Sequence, residues 1–174
     1  NPDSLNDLEE KHLKLAKERN APIVDNGDAF CAMQGKWDPR ADKSALKPEH
    51  QVDDYLDALV STYADFLAPY GPQLAVLGTG NHETSVLSRR ETNLTERLAE
   101  RLRVMAGFKG YTGSYTSWVF IKASCGKHNS RNTIKLWRTH GQGGGGPVTR
   151  GVIQSNRRAV YVPDANIVVS GHIH

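Results

Sequence analysis

One stretch constrains the fold more than any other: a short apolar run that breaks at glycines into three polar residues. Leu74–Leu77 is apolar and predicts a buried strand, and Gly78-Thr79-Gly80 then precedes Asn81, His82 and Glu83. Glycine lets the backbone approach an ion or a phosphate closely. The stretch therefore predicts ligating and proton-transferring side chains at the point where a strand ends.

Three other segments share this layout, in which an apolar run is followed by glycine beside Asp or His. They are residues 23–28, 133–141 and 167–174. In an open α/β sheet, functional residues gather at the carboxyl ends of the strands. The side chains delivered there are nitrogen and oxygen donors suited to transition metals: Asp28, Asn81, His140, His172 and His174. The sequence contains no Cys-x-x-Cys, which argues against a structural zinc cluster.

The order of predicted elements indicates an α/β protein. Helical spacing of apolar residues predicts helices over 4–19, 49–68, 92–106 and 147–160. Strand-like runs occupy 23–24, 73–77, 111–123, 132–139 and 166–169, and residues 31–48 are typical of an irregular loop. Because strands and helices alternate, we expect layered α/β packing. A length of 174 residues fits one domain over 1–174.

Composition narrows the possible partners and the cell compartment. The chain has 22 basic and 19 acidic residues, and a formal charge of +3 is too weak to argue for nucleic acid by itself. No apolar stretch reaches membrane-spanning length, and the N-terminal region lacks the apolar core of a signal peptide. Two cysteines are too few for a disulfide framework. We therefore expect a cytoplasmic protein without a membrane partner.

Four motifs in this order resemble the calcineurin-like metallophosphoesterase family. They are Gly27-Asp28, Gly80-Asn81-His82-Glu83, His140, and Gly171-His172-Ile173-His174, and the resemblance spans residues 23–174. It implies a layered β-sandwich flanked by helices. The sandwich would be incomplete at both ends, because the family's first Asp-x-His motif and its C-terminal strands are not found.

The resemblance also implies a phosphoester hydrolase that uses two divalent metal ions, of manganese, zinc, iron or nickel. Asp28 would bridge both ions, His174 would bind the first, and the second would be completed by Asn81, His140 and His172. Two such cations neutralise phosphate charge and produce a hydroxide near neutral pH, which would attack phosphorus in line.

The same resemblance gives His82 and Glu83 catalytic rather than ligating roles. His82 would face the phosphoester and stabilise the transition state or protonate the leaving oxygen, and Glu83 would orient its imidazole. Arg89 and Arg90 follow closely and could contact substrate phosphate, but ordinary charges at a helix approach are the preferred interpretation.

The sequence departs from the family's pattern at Cys31. Cys31 stands where the family often has Asp, or Tyr in purple acid phosphatases, so a tyrosinate-iron site is not expected and Cys31 is read as a packing or outer-shell residue. His50 has no motif around it and is expected at the surface.

The substrate would be a phosphoester, which makes the enzyme a phosphatase, a phosphodiesterase or a nuclease, and nucleic acid stays open as a partner. The alternative function is a weakly active or inactive interaction module of the same fold.

Overall fold

A computed structural model describes residues 6–32, 44, 46–125, 130–143 and 152–172. Within these ranges the chain forms five α-helices and six strands, and the strands make two three-stranded sheets. The mixed α/β class is therefore confirmed. The chain divides into two compact units, residues 1–113 and 114–174. A single domain and a metallophosphoesterase-type sandwich both stay predictions.

The sheet of the first unit is parallel throughout. Its strands are β1 (Ile23–Val24), β2 (Leu74–Leu77) and β3 (Tyr111–Thr112), and β2 lies in the centre. Val76 of β2 pairs with Val24 on one side and Tyr111 on the other. Because the strands are parallel, the segments that follow β1 and β2 leave the sheet at the same edge. These segments carry Asp28 and the Asn81-His82-Glu83 motif.

Three helices in this unit were expected from their apolar stripes. They are α1 (Asn6–Glu18), α2 (Tyr55–Leu67) and α4 (Leu94–Ala106). α2 begins six residues later than predicted, because Pro48–His50 forms a separate 3₁₀ turn. α4 begins at Leu94, two residues after the predicted start, because the side chain of Asn93 caps it by accepting a hydrogen bond from the Glu96 backbone nitrogen.

A further helix, α3 (Asn81–Arg90), begins at the polar motif itself and was not predicted. Its sequence is mostly polar, and only Val86 and Glu83 are buried. Among the described residues no helix is long and apolar enough to cross a membrane.

Apolar side chains from α1, α2, α4 and the parallel sheet form the core of the first unit. The most deeply buried of them come from α2 and α4, which pack against each other. Its buried members are Leu13, Phe30, Ala32, Val60, Ala64, Leu67, Tyr70, Leu74, Leu77, Val86, Leu94, Leu98, Ala99, Leu102 and Phe108.

The second unit contains a mixed sheet. β4 (Thr116–Cys125) and β5 (Ser130–Thr139) are antiparallel, and β6 (Ile167–Ser170) lies parallel to β5. α5 (Val152–Tyr161) lies in the crossover between β5 and β6. Residues 144–151 and most of the predicted loop over 31–48 lie outside the described residues.

The predicted strand over 111–123 is wrong as a single element, because it contains two strands that belong to different sheets. The break follows Thr112, where the Gly113 backbone nitrogen donates to the Leu77 oxygen at 2.7 Å and closes the parallel sheet. β4 then starts at Thr116 and pairs with β5.

Candidate active site

The loop that follows β1 is tied to the loop that follows β2. The Asp25 carboxylate accepts hydrogen bonds from the backbone nitrogens of Gly27, at 3.2 Å, and of Gly78, at 2.9 Å. Gly27 has φ +90°, and Asp28 next to it has φ +62°. At Gly27 and Asp28 the backbone therefore turns sharply after β1. The Asp25 hydrogen bonds hold the start of this loop beside the residues that follow β2.

Glu83 is buried, with an exposed fraction of 1%, and joins the same two loops. Its Oε2 accepts from the backbone nitrogens of Gly80, at 2.7 Å, and of Asp28, at 3.0 Å. Its Oε1 accepts from the Phe30 nitrogen at 3.0 Å. A Glu in the first turn that bonds the N-cap nitrogen is half of a capping box, so this side chain both starts α3 and holds the Asp28 segment. Three charge-assisted bonds stabilise the buried carboxylate.

The Asp28 carboxylate lies directly against the start of α3. Its Oδ1 accepts from the His82 backbone nitrogen at 3.0 Å. A Cβ atom added to Gly80 would lie 2.2 Å from that same Oδ1, so only glycine allows this approach. The N-terminus of a helix favours negative charge, which further stabilises the carboxylate here.

The His82 imidazole is held by two partners in the loop that follows Asp28. Its Nδ1 lies 3.1 Å from the Phe30 carbonyl oxygen, and because a carbonyl only accepts, Nδ1 carries the proton. The Cys31 sulfur also accepts a hydrogen bond from the protonated ring, and this bond raises the pKa of His82; burial opposes this, and the Asp28 charge adds to it. The same bond lowers the pKa of the Cys31 thiol. Glu83 bonds the backbone of the loop that holds this ring, and its role in orienting the imidazole stays a prediction.

In the second unit, His140 and His172 lie side by side. His140 follows β5, is 2% exposed, and its backbone nitrogen donates to the Tyr115 oxygen at 2.8 Å. Its ring contacts Tyr115 and His172 edge to face, each with centroids 5.3 Å apart. The Gly171 nitrogen donates to the His140 oxygen at 3.1 Å, which joins the ends of β5 and β6. Two predicted ligands of the same ion are therefore neighbours.

Backbone strain marks two of the predicted ligands. Four non-glycine residues among those described have positive φ: Asn20, Asp28, Glu91 and His172. Asn20 follows the end of α1 and Glu91 ends α3, where this conformation is ordinary. Asp28 and His172 instead follow strands. Such conformations cost on the order of 1–3 kcal/mol and cluster at functional sites.

The remaining predicted residues are placed elsewhere or not described. Arg89 and Arg90 occupy the last turn of α3, and Arg90 lies over the Tyr55 ring at 5.9 Å from the centroid. At about 1.5 Å per residue, this turn is roughly 13 Å along the helix from Asn81. His174 lies outside the described residues. The meeting of the first-unit and second-unit groups at one centre stays a prediction.

The sequence did not predict the contacts that three residues make in the structure. Asp25 braces two loops, and an Asp two residues before a glycine was the available signal. Cys31 pairs with His82, which no local pattern indicates. His50 was expected at the surface but is buried, and its Nε2 lies 3.1 Å from the Thr62 hydroxyl.

No family model, no curated protein and no solved structure matches this chain.

Proposed function

We propose that this chain is a metal-dependent phosphoester hydrolase that uses two divalent cations. The observation that carries the proposal is the strained backbone at Asp28 and His172, two predicted ligands from different units. A fold that tolerates such strain after a strand, rather than at a helix end, does so for the position of the side chain. Neither residue is in a core that would explain the strain by packing.

The donor set fits a divalent transition metal. His140 and His172 present two imidazoles side by side, and Asp28 adds a carboxylate held at a helix start. Asn81, the first residue of α3, would add an amide oxygen. Imidazole with carboxylate and amide oxygen suits manganese, iron, nickel or zinc. Bound cations would neutralise phosphate charge and lower the pKa of a water nucleophile towards neutrality.

His82 is the residue suited to the leaving group. Its Nδ1 proton is committed to the Phe30 carbonyl, so the proton that can be transferred is on Nε2. The protonated imidazole donates a hydrogen bond to the Cys31 sulfur, and this bond raises the pKa of His82, so the protonated form persists to higher pH. A protonated imidazole donates to a departing alkoxide or stabilises charge on the phosphoryl oxygens.

The proposal is tested by metal content and hydrolysis measured on the same preparations. The chain is purified with Mn²⁺ and assayed on p-nitrophenyl phosphate and on bis(p-nitrophenyl) phosphate, with and without chelator. We expect metal-dependent hydrolysis of at least one ester, and loss of both metal and activity in His172→Ala, because a dinuclear centre missing one imidazole binds its ion poorly.

His12→Ala is the matched control, because His12 is an exposed histidine on α1. It should keep both metal and activity. Hydrolysis that survives complete removal of metal, or equal metal content in His172→Ala and His12→Ala, would overturn the proposal. The ratio of rates on the two esters assigns the substrate as a monoester or a diester.

A further inference from the structure

One face of the antiparallel ribbon β4–β5 carries exposed aromatic and basic side chains. Trp118 is 40% exposed and Phe120 is 56% exposed, and their rings are nearly parallel, with an interplanar angle of 18° and centroids 6.2 Å apart. Lys122 follows two residues later and is also exposed. Side chains two apart on a strand point to the same face, so these three form one row.

The neighbouring strand supplies a second row on this face. In the β4–β5 register, Trp118 is opposite Trp137 and Phe120 is opposite Lys135. Directly opposed residues of an antiparallel pair share a face. The contact between the hydroxyls of the opposed pair Thr116 and Thr139, at 3.0 Å, shows this for the same ribbon. We call this surface the aromatic platform; its members are Trp118, Phe120, Lys122, Lys135 and Trp137.

The second unit carries a strong excess of positive charge. Residues 114–174 contain eight Lys and Arg and a single acidic residue, Asp164. Residues 1–113 contain fourteen basic and eighteen acidic residues, which is why the whole chain shows only +3. A basic unit attracts a polyanion. It also repels the same unit of a second copy, which disfavours self-association through this face.

We propose that the aromatic platform binds single-stranded nucleic acid. Bases stack on the faces of Trp118 and Phe120, and phosphates lie near Lys122 and Lys135. A sheet face with exposed aromatics and flanking cations is the general solution for binding unpaired bases, because every base has a π-face and the backbone is uniformly charged. A purely apolar partner would leave the lysines without a counter-charge. Binding of this kind does not depend on the hydrolytic activity proposed above.

The test measures binding of the full chain to a fluorescein-labelled 15-nucleotide oligo(dT) by anisotropy, in EDTA so that hydrolysis does not interfere. Trp118→Ala and Phe120→Ala should each weaken binding by about tenfold or more, since one stacked base is lost. Phe120→Leu should weaken it similarly, because leucine keeps apolar bulk but has no planar ring. Oligo(rU) measured in parallel shows whether the platform prefers RNA or DNA.

Matched controls separate stacking and charge from general effects. Tyr161→Ala removes an aromatic ring of the same unit that is 81% exposed on α5, and its affinity should equal the wild type. Lys122→Gln should lower the slope of log K against log salt by about 0.7, whereas Lys109→Gln, an exposed lysine of the first unit, should not. Circular dichroism confirms that each variant is folded.

Three outcomes would overturn the proposal. Equal affinity of Trp118→Ala and Tyr161→Ala would remove the role of stacking. If duplex DNA binds as tightly as the single strand, binding depends on phosphate charge alone and not on stacking with unpaired bases. A dimer that Trp118→Ala dissociates, in a chain that binds no oligonucleotide, would assign the platform to a second copy instead.

Discussion

At the scale of single residues, two carboxylates hold the site by bonding backbone nitrogens. Glu83 bonds three backbone nitrogens and Asp25 bonds two. Asp28 and the imidazole of His82 are thus held by loops that these carboxylates have already fixed. Residue types alone suggested which side chains are chemical, namely Asp28, Asn81 and the histidines. They suggested Cys31 only as a packing or outer-shell residue, because its contact with His82 arises when two distant loops meet.

His82 and His140 should respond differently to the same substitution. His82→Ala should keep its metal and lose activity by about 10²–10⁴-fold, the usual scale for a positioned proton donor. His140→Ala should lose metal and activity together, because it removes a proposed ligand. Elemental analysis and turnover on an alkyl phosphoester and a nitrophenyl ester measure both effects.

The choice of ester separates two roles of His82. A nitrophenolate leaves without protonation, so the His82→Ala defect should shrink on that ester if proton donation dominates. A defect of equal size on both esters would instead indicate stabilisation of charge on the phosphoryl oxygens. Loss of metal in His82→Ala would contradict the assignment and make His82 a ligand.

At the scale of elements, the sequence correctly predicted the helices and strands that have a regular pattern of apolar residues. α1, α4 and β2 have regular apolar patterns and were placed within two residues of their observed ends. α3 was missed, because its ten residues are largely polar and its start depends on Glu83 bonding Gly80. The break between β3 and β4 was also missed, since β-branched and aromatic residues continue on both sides of Gly113. Periodicity does not record which sheet a strand joins.

The start of α3 should tolerate no side chain at Gly80. Gly80→Ala would place a methyl group 2.2 Å from the Asp28 carboxylate oxygen, so the carboxylate or the helix must move. We expect a loss of unfolding free energy of about 1–3 kcal/mol, as for overpacking, together with weaker metal binding. Urea denaturation and metal titration measure the two effects.

Gly107→Ala is the control for this substitution. Gly107 has φ +64° and open space around it, so alanine there is strained by backbone conformation alone. It should cost about 1 kcal/mol and leave metal binding unchanged. If both variants bind metal as the wild type does, the close approach of Gly80 to Asp28 has no part in the site.

At the scale of the whole molecule, the predicted ligands are divided between two compact units. Asp28 and Asn81 belong to residues 1–113, and His140 and His172 belong to residues 114–174. Each group is organised within its own unit by hydrogen bonds or ring contacts. A metal ion that takes ligands from both groups would stabilise both units, because a ligand that binds only the folded state adds to its stability. A metal held by one group alone would stabilise one unit only.

Thermal unfolding with two probes distinguishes these cases. Far-UV circular dichroism follows mainly the unfolding of the first unit, which holds four of the five described helices. Tryptophan fluorescence follows the unfolding of the second unit through Trp118 and Trp137, once Trp37 is replaced by Phe. Zn²⁺ at a hundredfold excess over its Kd should stabilise by about 2.7 kcal/mol, and both transitions should therefore move to higher temperature.

The decisive variant is Asp28→Asn. It changes a residue of the first unit, and its effect is measured on the unfolding transition of the second unit. If Asp28 and the two histidines share an ion, the amide weakens that ion's binding, and the zinc-induced shift of the tryptophan transition shrinks. Asp53→Asn, which alters an exposed carboxylate of the first unit, should leave that shift intact. An undiminished shift in Asp28→Asn would mean that His140 and His172 bind zinc without Asp28. The proposal of a shared centre would then fail even though each half of it binds metal.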